Sequence, residues 1–276
     1  MKRFDFMPTQ VLTIAGKEFW DRIRSLWVLA IALVFTVFAL GIAYFGGAQQ
    51  GVVGFRSLDF TLASLVSLVI YLVPLIALVL GFDAVVGERE RGSLDLLLSM
   101  PLTRWELLLG KYLGLAAALG FSTVAGFGAV ALVLAPHMGV SGLAHYGVFI
   151  ASSVLLGCAF LSLAVLISVV ASDRTRASGL AIALWFLFVL MYDLLLLGGL
   201  VVGADTALAR LAPYLLLLNP ADVFRVWNIA ALDEVAALYG LASVLPPELA
   251  RPGLLAGVLC AWCVLPLSFA AWRFRR

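Results

Sequence analysis

Residues 60–111 read FTLASLVSLVIYLVPLIALVLGFDAVVGERERGSLDLLLSMPLTRWELLLGK. Up to Phe82 no side chain in this stretch is charged, and the apolar residues run on without the alternation of a strand. As a helix, Phe60–Phe82 covers about 34 Å, enough to cross the roughly 30 Å hydrocarbon core of a bilayer. Continuous apolar character selects a spanning helix over a barrel strand. At Asp83 the pattern breaks. A charged entry, Glu88 to Arg91, meets Gly92, and a short amphipathic helix is predicted over Ser93–Ser99. Ser93 is the expected cap, and Pro101 is expected to end the helix. A second amphipathic helix, Thr103–Lys111, leads back toward the membrane. A rigid helix lying along the membrane fits a groove on another protein and transmits that protein's movement. The competing reading is a solvated loop with incidental helicity.

The rest of the chain agrees with a bilayer as solvent. Of 276 residues 64% are hydrophobic and 12% charged, and the mean hydropathy is +1.11. A soluble domain carries roughly 25% charged residues. Five further runs are long and apolar enough to span: Ser25–Phe45, Gly114–Ala135, Gly147–Ala171, Ala177–Gly203 and Gly253–Trp272. The fold expected is an all-α integral membrane domain of six spans over residues 1–276. A net charge of +2 gives no reason to expect a nucleic-acid partner.

Orientation follows from the cations. Lys2, Arg3, Lys17, Arg22, Arg24, Arg89, Arg91, Arg104, Lys111, Arg174, Arg176, Arg273, Arg275 and Arg276 fall on one side, and Arg56, Arg210, Arg225 and Arg251 on the other. Fourteen against four places the first side, with both termini, in the cytoplasm. Ahead of the first span, residues 10–24 put Leu12, Ala15, Phe19 and Ile23 on one helical face and Lys17, Asp21 and Arg24 on the other, the pattern of an interfacial helix. Residues 83–113 form the cytoplasmic segment. Residues 204–252, punctuated by Pro213, Pro220, Pro246 and Pro247, are read as short helices lying on the outer surface. A connection of that length suggests a task facing the periplasm.

Few residues carry chemistry of their own. Gly87-Glu-Arg-Glu-Arg-Gly92-Ser93 approaches a phosphate-binding loop but lacks its lysine, so any ATP hydrolysis belongs to a separate subunit. Asp193 lies inside the fifth span, where a charge costs a few kcal/mol, and no basic partner stands at membrane depth in another span. It is read either as a functional group facing the bundle or a dimer interface, or as a hydrogen-bonded aspartate holding helices together. Cys260 and Cys263 share a helix face and thiolates suit Cu(I), yet they sit mid-span as small apolar residues. Cys158 is also inside an apolar run. His137, Met138 and His145 lie in an outer loop. No metal site, cofactor or catalytic residue is assigned.

Gly87, Glu88, Gly92, Ser93, Leu94, Pro101, Arg104 and Lys111 reproduce a GE…G-(T/S)-L…P-x-x-R…K pattern. In this the segment resembles the ABC-2 type permeases. The resemblance implies docking on a cytoplasmic ATPase through Glu88, Arg89, Glu90, Arg91, Gly92, Ser93, Leu94, Leu97, Pro101 and Arg104, and makes the 10–24 helix the family's elbow helix. A closer resemblance covers nearly the whole chain and rests on Leu75–Glu88, Trp185–Leu194 and Pro213–Asp222. It is to the permeases of nitrous oxide reductase maturation systems. That implies a homodimer, two copies of the ATPase beneath it, and a periplasmic copper-handling protein above, for which Asn219, Asp222 and Arg225 are the expected contact. The role implied is support of copper-centre assembly. The alternatives are an ABC-2 exporter of a lipid or hydrophobic compound, and an intramembrane enzyme built on Asp193. The enzyme would require a second carboxylate at similar depth, and none stands in the other spans.

Overall fold

The computed structural model describes residues 8–45, 58–100, 102–137, 139–202, 211, 213–230, 246 and 248–275. Among them are six helices long and apolar enough to cross a membrane. Helix α1 (Pro8–Arg24) precedes the first span, α2 (Trp27–Phe45). The second span, α3 (Leu58–Gly81), is followed by two short helices, α4 (Val86–Glu90) and α5 (Ser93–Leu98). Then come α6 (Arg104–Leu134) and α7 (Val140–Val170), each of 31 residues. At about 46 Å apiece they are longer than the hydrocarbon core is thick. The fifth span joins α8 (Arg174–Phe186), one π-helical turn (Leu187–Met191) and α9 (Tyr192–Val202). A short helix, α10 (Pro220–Ile229), precedes the last span, α11 (Pro252–Arg275).

Helix α7 is the axis of the bundle. It packs against α3, α6 and α11, and most of its central window is buried. Four of its serines, Ser152, Ser153, Ser162 and Ser168, are buried. The Ser153 hydroxyl donates to the Phe149 carbonyl one turn back, and Ser162 donates to the Trp262 carbonyl of α11 at 2.8 Å. Rings of Phe35, Phe127, Phe149 and Phe224 follow one another at centroid separations of 4.9, 5.1 and 6.3 Å, linking α2, α6, α7 and α10.

Helix α1 lies close along the first part of α6 because Gly110 and Gly114 present no side chain to it. A Cβ on Gly114 would stand 2.6 Å from the Ala15 carbonyl oxygen, and one on Gly110 2.7 Å from Ile14 Cβ. Paired glycines four apart are what lets two apolar helices approach backbone to backbone. The buried face of α1 is therefore Val11, Ile14, Ala15 and Glu18, while Leu12 and Trp20 point outward. Of the apolar face expected from sequence, Leu12, Ala15, Phe19 and Ile23, Ala15 lies against α6 and Leu12 is exposed. Gly114→Val is expected to lift α1 from α6 at a cost of about 1–3 kcal/mol. In the Gly114→Val protein, protease cleavage within residues 8–24 should rise.

Between α1 and α2 the chain turns at Leu26, whose φ of 62° is left-handed and costs roughly 1–2 kcal/mol for a residue with a Cβ. That turn sends the chain from α1 into the first span. The last described helix reaches the start of α6. There the Arg104 guanidinium donates to the Phe274 carbonyl near the end of α11 at 2.7 Å.

The outer segment differs from expectation where it is described. Helix α10 does not lie on the surface but is largely buried against α3, α7 and α11, while Tyr214 and Leu218 ahead of it are exposed. The side chain of Asn228 donates to Ser152 Oγ of α7 at 3.0 Å, and Trp262 Nε1 of α11 donates to the Leu217 carbonyl at 3.3 Å. Residues 204–210, 212, 231–245 and 247 of this segment fall outside the described residues.

Candidate functional site

The segment after α3 is fastened at four points. The Ser168 hydroxyl near the end of α7 accepts from the backbone N–H groups of Val85 and Val86 at 2.8 and 3.0 Å. Arg89 donates to the carbonyls of Ala171 (2.9 Å) and Val169 (3.2 Å), oxygens a helix C-terminus leaves without intrahelical partners. Glu90 accepts from the N–H of Arg174 at 2.7 Å, putting a carboxylate on the positive end of α8. Thus α4 is clamped between the end of the fourth span and the start of the fifth. The fourth point is an ion cluster. Lys111 of α6 pairs with Glu18 of α1 at 2.6 Å and Glu88 of α4 at 2.7 Å, with side-chain exposures of 5, 13 and 11%.

Gly92 then turns the chain with a φ of 70°, which glycine adopts without strain. Gly92, not Ser93, occupies the cap position of α5, and it makes no side-chain cap. Ser93 instead donates back to the Glu88 carbonyl at 3.3 Å. The cap expected from sequence is corrected accordingly. A capping box does occur one helix later. Thr103 Oγ1 accepts from the Glu106 N–H at 3.2 Å, and the Thr103 N–H donates to Glu106 Oε2 at 2.8 Å. Its signature, Thr103-Arg-Trp-Glu106, was legible in the sequence.

Of the ten residues expected to face an ATPase, Glu88, Arg89, Glu90, Leu94 and Arg104 are bound to other parts of this chain. Arg91 and Gly92 are exposed, Ser93 and Leu97 half-buried, and Pro101 lies outside the described residues. The outward face of α5 and its end is formed by Asp95, Leu96, Ser99 and Met100. Leu96 is 67% exposed, a large apolar side chain at the tip of a clamped element.

At the opposite end Asp193 does have a basic partner, supplied by α10 and not by another span. Arg225 bridges two carboxylates, Asp193 at 2.8 Å and Asp222 at 2.7 Å. Asp222 also accepts from Asn219 Nδ2 at 2.8 Å, and the same amide donates to the Phe188 carbonyl within the π-helical turn. Asn219 Oδ1 caps α10 through the Ala221 N–H at 3.0 Å. Tyr192 donates to the Leu215 carbonyl at 2.6 Å. Asn219 and Asp222, expected to contact a periplasmic protein, are 1% exposed and turned inward. Burial pushes the Asp222 carboxyl up to about 7; Arg225 opposes the rise and the Asp193 carboxylate adds to it. The arrangement locks the fifth span to the outer segment.

Among the described residues no three His, Cys, Asp or Glu side chains converge as a metal site. Cys263 lies against the Leu155 carbonyl, Sγ to O 3.7 Å, and Cys260 is exposed. Met138 lies outside the described residues.

A model of the ABC-2 family of transporter proteins matches residues 12–276. The chain is 47% identical to the probable ABC transporter permease protein NosY of Pseudomonas aeruginosa PAO1, over 98% of this chain and 99% of that protein. It is 43% identical to the protein of the same name from Stutzerimonas stutzeri, over 97% and 98%.

Proposed function

The chain belongs to the ABC-2 family of transporter proteins and is a multi-pass membrane permease, and from that premise we propose that it turns the motion of a separate ATPase into a conformational change across the membrane. Hydrolysis resides in the partner, two copies of which bind beneath a dimer of this chain. The end carrying α1, α4, α5 and both chain ends faces the cytoplasm. Among the described residues that end carries eleven Lys and Arg, as the positive-inside rule asks. The membrane is the bacterial inner membrane, and α1 acts as the elbow helix.

The observation that carries this reading is the fastening of α4. A push on the exposed tip of α5 reaches α7 through Arg89 and Ser168, α8 through Glu90, and α1 with α6 through Glu88 and Lys111. The docking surface is accordingly Arg91, Asp95, Leu96 and Met100, with Glu88 and Arg89 as internal anchors. The likeness to proteins named NosY supports the further proposal that the output serves copper-centre maturation of nitrous oxide reductase through a periplasmic copper-handling partner.

Leu96→Asp tests the coupling. An unpaired carboxylate in an apolar contact costs more than about 1.4 kcal/mol, so ATPase recovered with the permease should fall about tenfold or more. Membrane insertion should be unchanged, because Leu96 touches solvent. Equal recovery would place docking elsewhere. The maturation role is read separately, as copper per reductase from a strain lacking this chain; a full complement would sink it, and accumulation of a lipid or hydrophobic compound would favour the exporter.

A further inference from the structure

A cavity of about 400 Å³ opens between the start of α2, the end of α3 and the start of α8. Its volume falls within the roughly 300–1,000 Å³ of small-molecule sites. Its walls are apolar, with Trp27, Leu75 and Val79 among them, and its mouth carries Arg22, Asp83 and Arg174. A polar cleft of about 300 Å³ adjoins it and shares Arg22, Trp27 and Asp83. The two together have the two-part character of a lipid: an apolar channel at membrane depth and a wet, charged chamber at the interface, with a tryptophan at the boundary.

The charges at the mouth do not balance. Two guanidiniums share one carboxylate: Arg174 reaches Asp83 at 2.9 Å, while Arg22 stands at 4.0 Å from it. Over the cavity and the cleft together five cations, Lys17, Arg22, Arg91, Lys111 and Arg174, face four carboxylates, Glu18, Asp21, Asp83 and Glu88, and Lys111 is taken by Glu18 and Glu88. Across this end of the bundle the described residues hold eleven Lys and Arg against eight Asp and Glu. Basic pockets between spanning helices hold anionic lipid head groups. We propose that this cavity binds one anionic phospholipid of the phosphatidylglycerol class, its phosphate between Arg22 and Arg174 and an acyl chain along Trp27, Leu75 and Val79. Its assignment to the cytoplasmic leaflet rests on the orientation proposed above; binding itself does not.

The purified protein, stripped in mild detergent, is incubated with phosphatidylcholine vesicles containing phosphatidylglycerol, phosphatidylethanolamine or neither, and retained lipid is counted by native mass spectrometry. One phosphatidylglycerol per chain should be retained. Removing a basic side chain near an anionic lipid costs about 1 kcal/mol, so Arg22→Gln and Arg174→Gln should each weaken retention roughly fivefold, while Arg24→Gln, outside the cavity, should not. Val79→Trp fills the channel without altering charge and should also expel the lipid, which keeps the test alive if an arginine variant fails to fold. Retention unchanged in the double arginine variant, preference for phosphatidylethanolamine, displacement by inorganic phosphate alone, or no lipid on the wild type because a second copy of the chain occupies the cavity would each overturn the proposal. ATPase recovery is unaffected by these arms, so failure here is distinguishable from failure of the coupling reading.

Discussion

Lys111→Met is expected to remove most of the folded protein from the membrane fraction. Lys111 is almost fully buried and is the shared partner of Glu18 and Glu88. Without it two carboxylates remain close together in a site that excludes most water, and one oxygen of Glu88 already has no hydrogen-bond partner. Removing one member of a buried ion cluster costs about 3–5 kcal/mol, whereas replacing the whole cluster by neutral groups of similar volume is often close to neutral. The triple variant Glu18→Gln, Glu88→Gln, Lys111→Met should therefore recover most of the loss. Monodisperse yield and the thermal midpoint in detergent report both. A single variant with a wild-type midpoint would mean that α1, α4 and α6 are held by packing alone, through Gly110 and Gly114. Charge reversal at Glu88 is consequently a poor probe of docking, since it breaks the fold before it reaches the partner; the exposed Leu96 separates the two effects.

The spans were legible because twenty or so uncharged residues have one stable fate in hydrocarbon, where every backbone polar group must find its partner within the segment. Their ends were less legible. Helix α6 begins at Arg104, ten residues before the apolar run at Gly114, because a capping box starts the helix and nothing interrupts it at the interface. The turn at Leu26 carries no glycine to announce it. The site was half legible. Charged residues after the second span marked the right segment, but a charge pattern does not say which groups point inward. Lys111 lies 23 positions beyond Glu88 and 93 beyond Glu18, and only packing of α1 on α6 brings the three together. The same holds for Asp193. A search of the spans for its cation fails, because the cation sits on a short helix that the proline-punctuated outer segment folds back into the bundle.

Arg225→Met is expected to cost about 3 kcal/mol at alkaline pH, since it leaves the buried Asp222 beside Asp193 with no cation. The loss depends on pH, and the sign follows from Asp222. Its carboxyl is pushed up to about 7 in the folded chain, above its ordinary value. Between those two values the folded chain binds the proton more tightly than the unfolded chain does, so stability falls as pH rises through that window. In the variant the positive charge favouring the carboxylate is gone, leaving only the hydrogen bond from Asn219, and the window extends upward. Below it both proteins hold Asp222 neutral, and the variant lacks only its contacts with Arg225. The gap in thermal midpoint should therefore be smaller at about pH 5.5 than at about pH 8.5. In an Asp222→Asn background neither protein carries the titrating group, and the gap between Asp222→Asn and Asp222→Asn with Arg225→Met should be the same at both values. If the single variant already shows an equal gap, Asp222 is not the group that Arg225 neutralises, and Arg225 contributes to the lock through Asp193. If the gap widens with pH as expected, protonation of Asp222 loosens the demand for Arg225, and a proton and an arginine are alternative ways of keeping the outer segment on the fifth span.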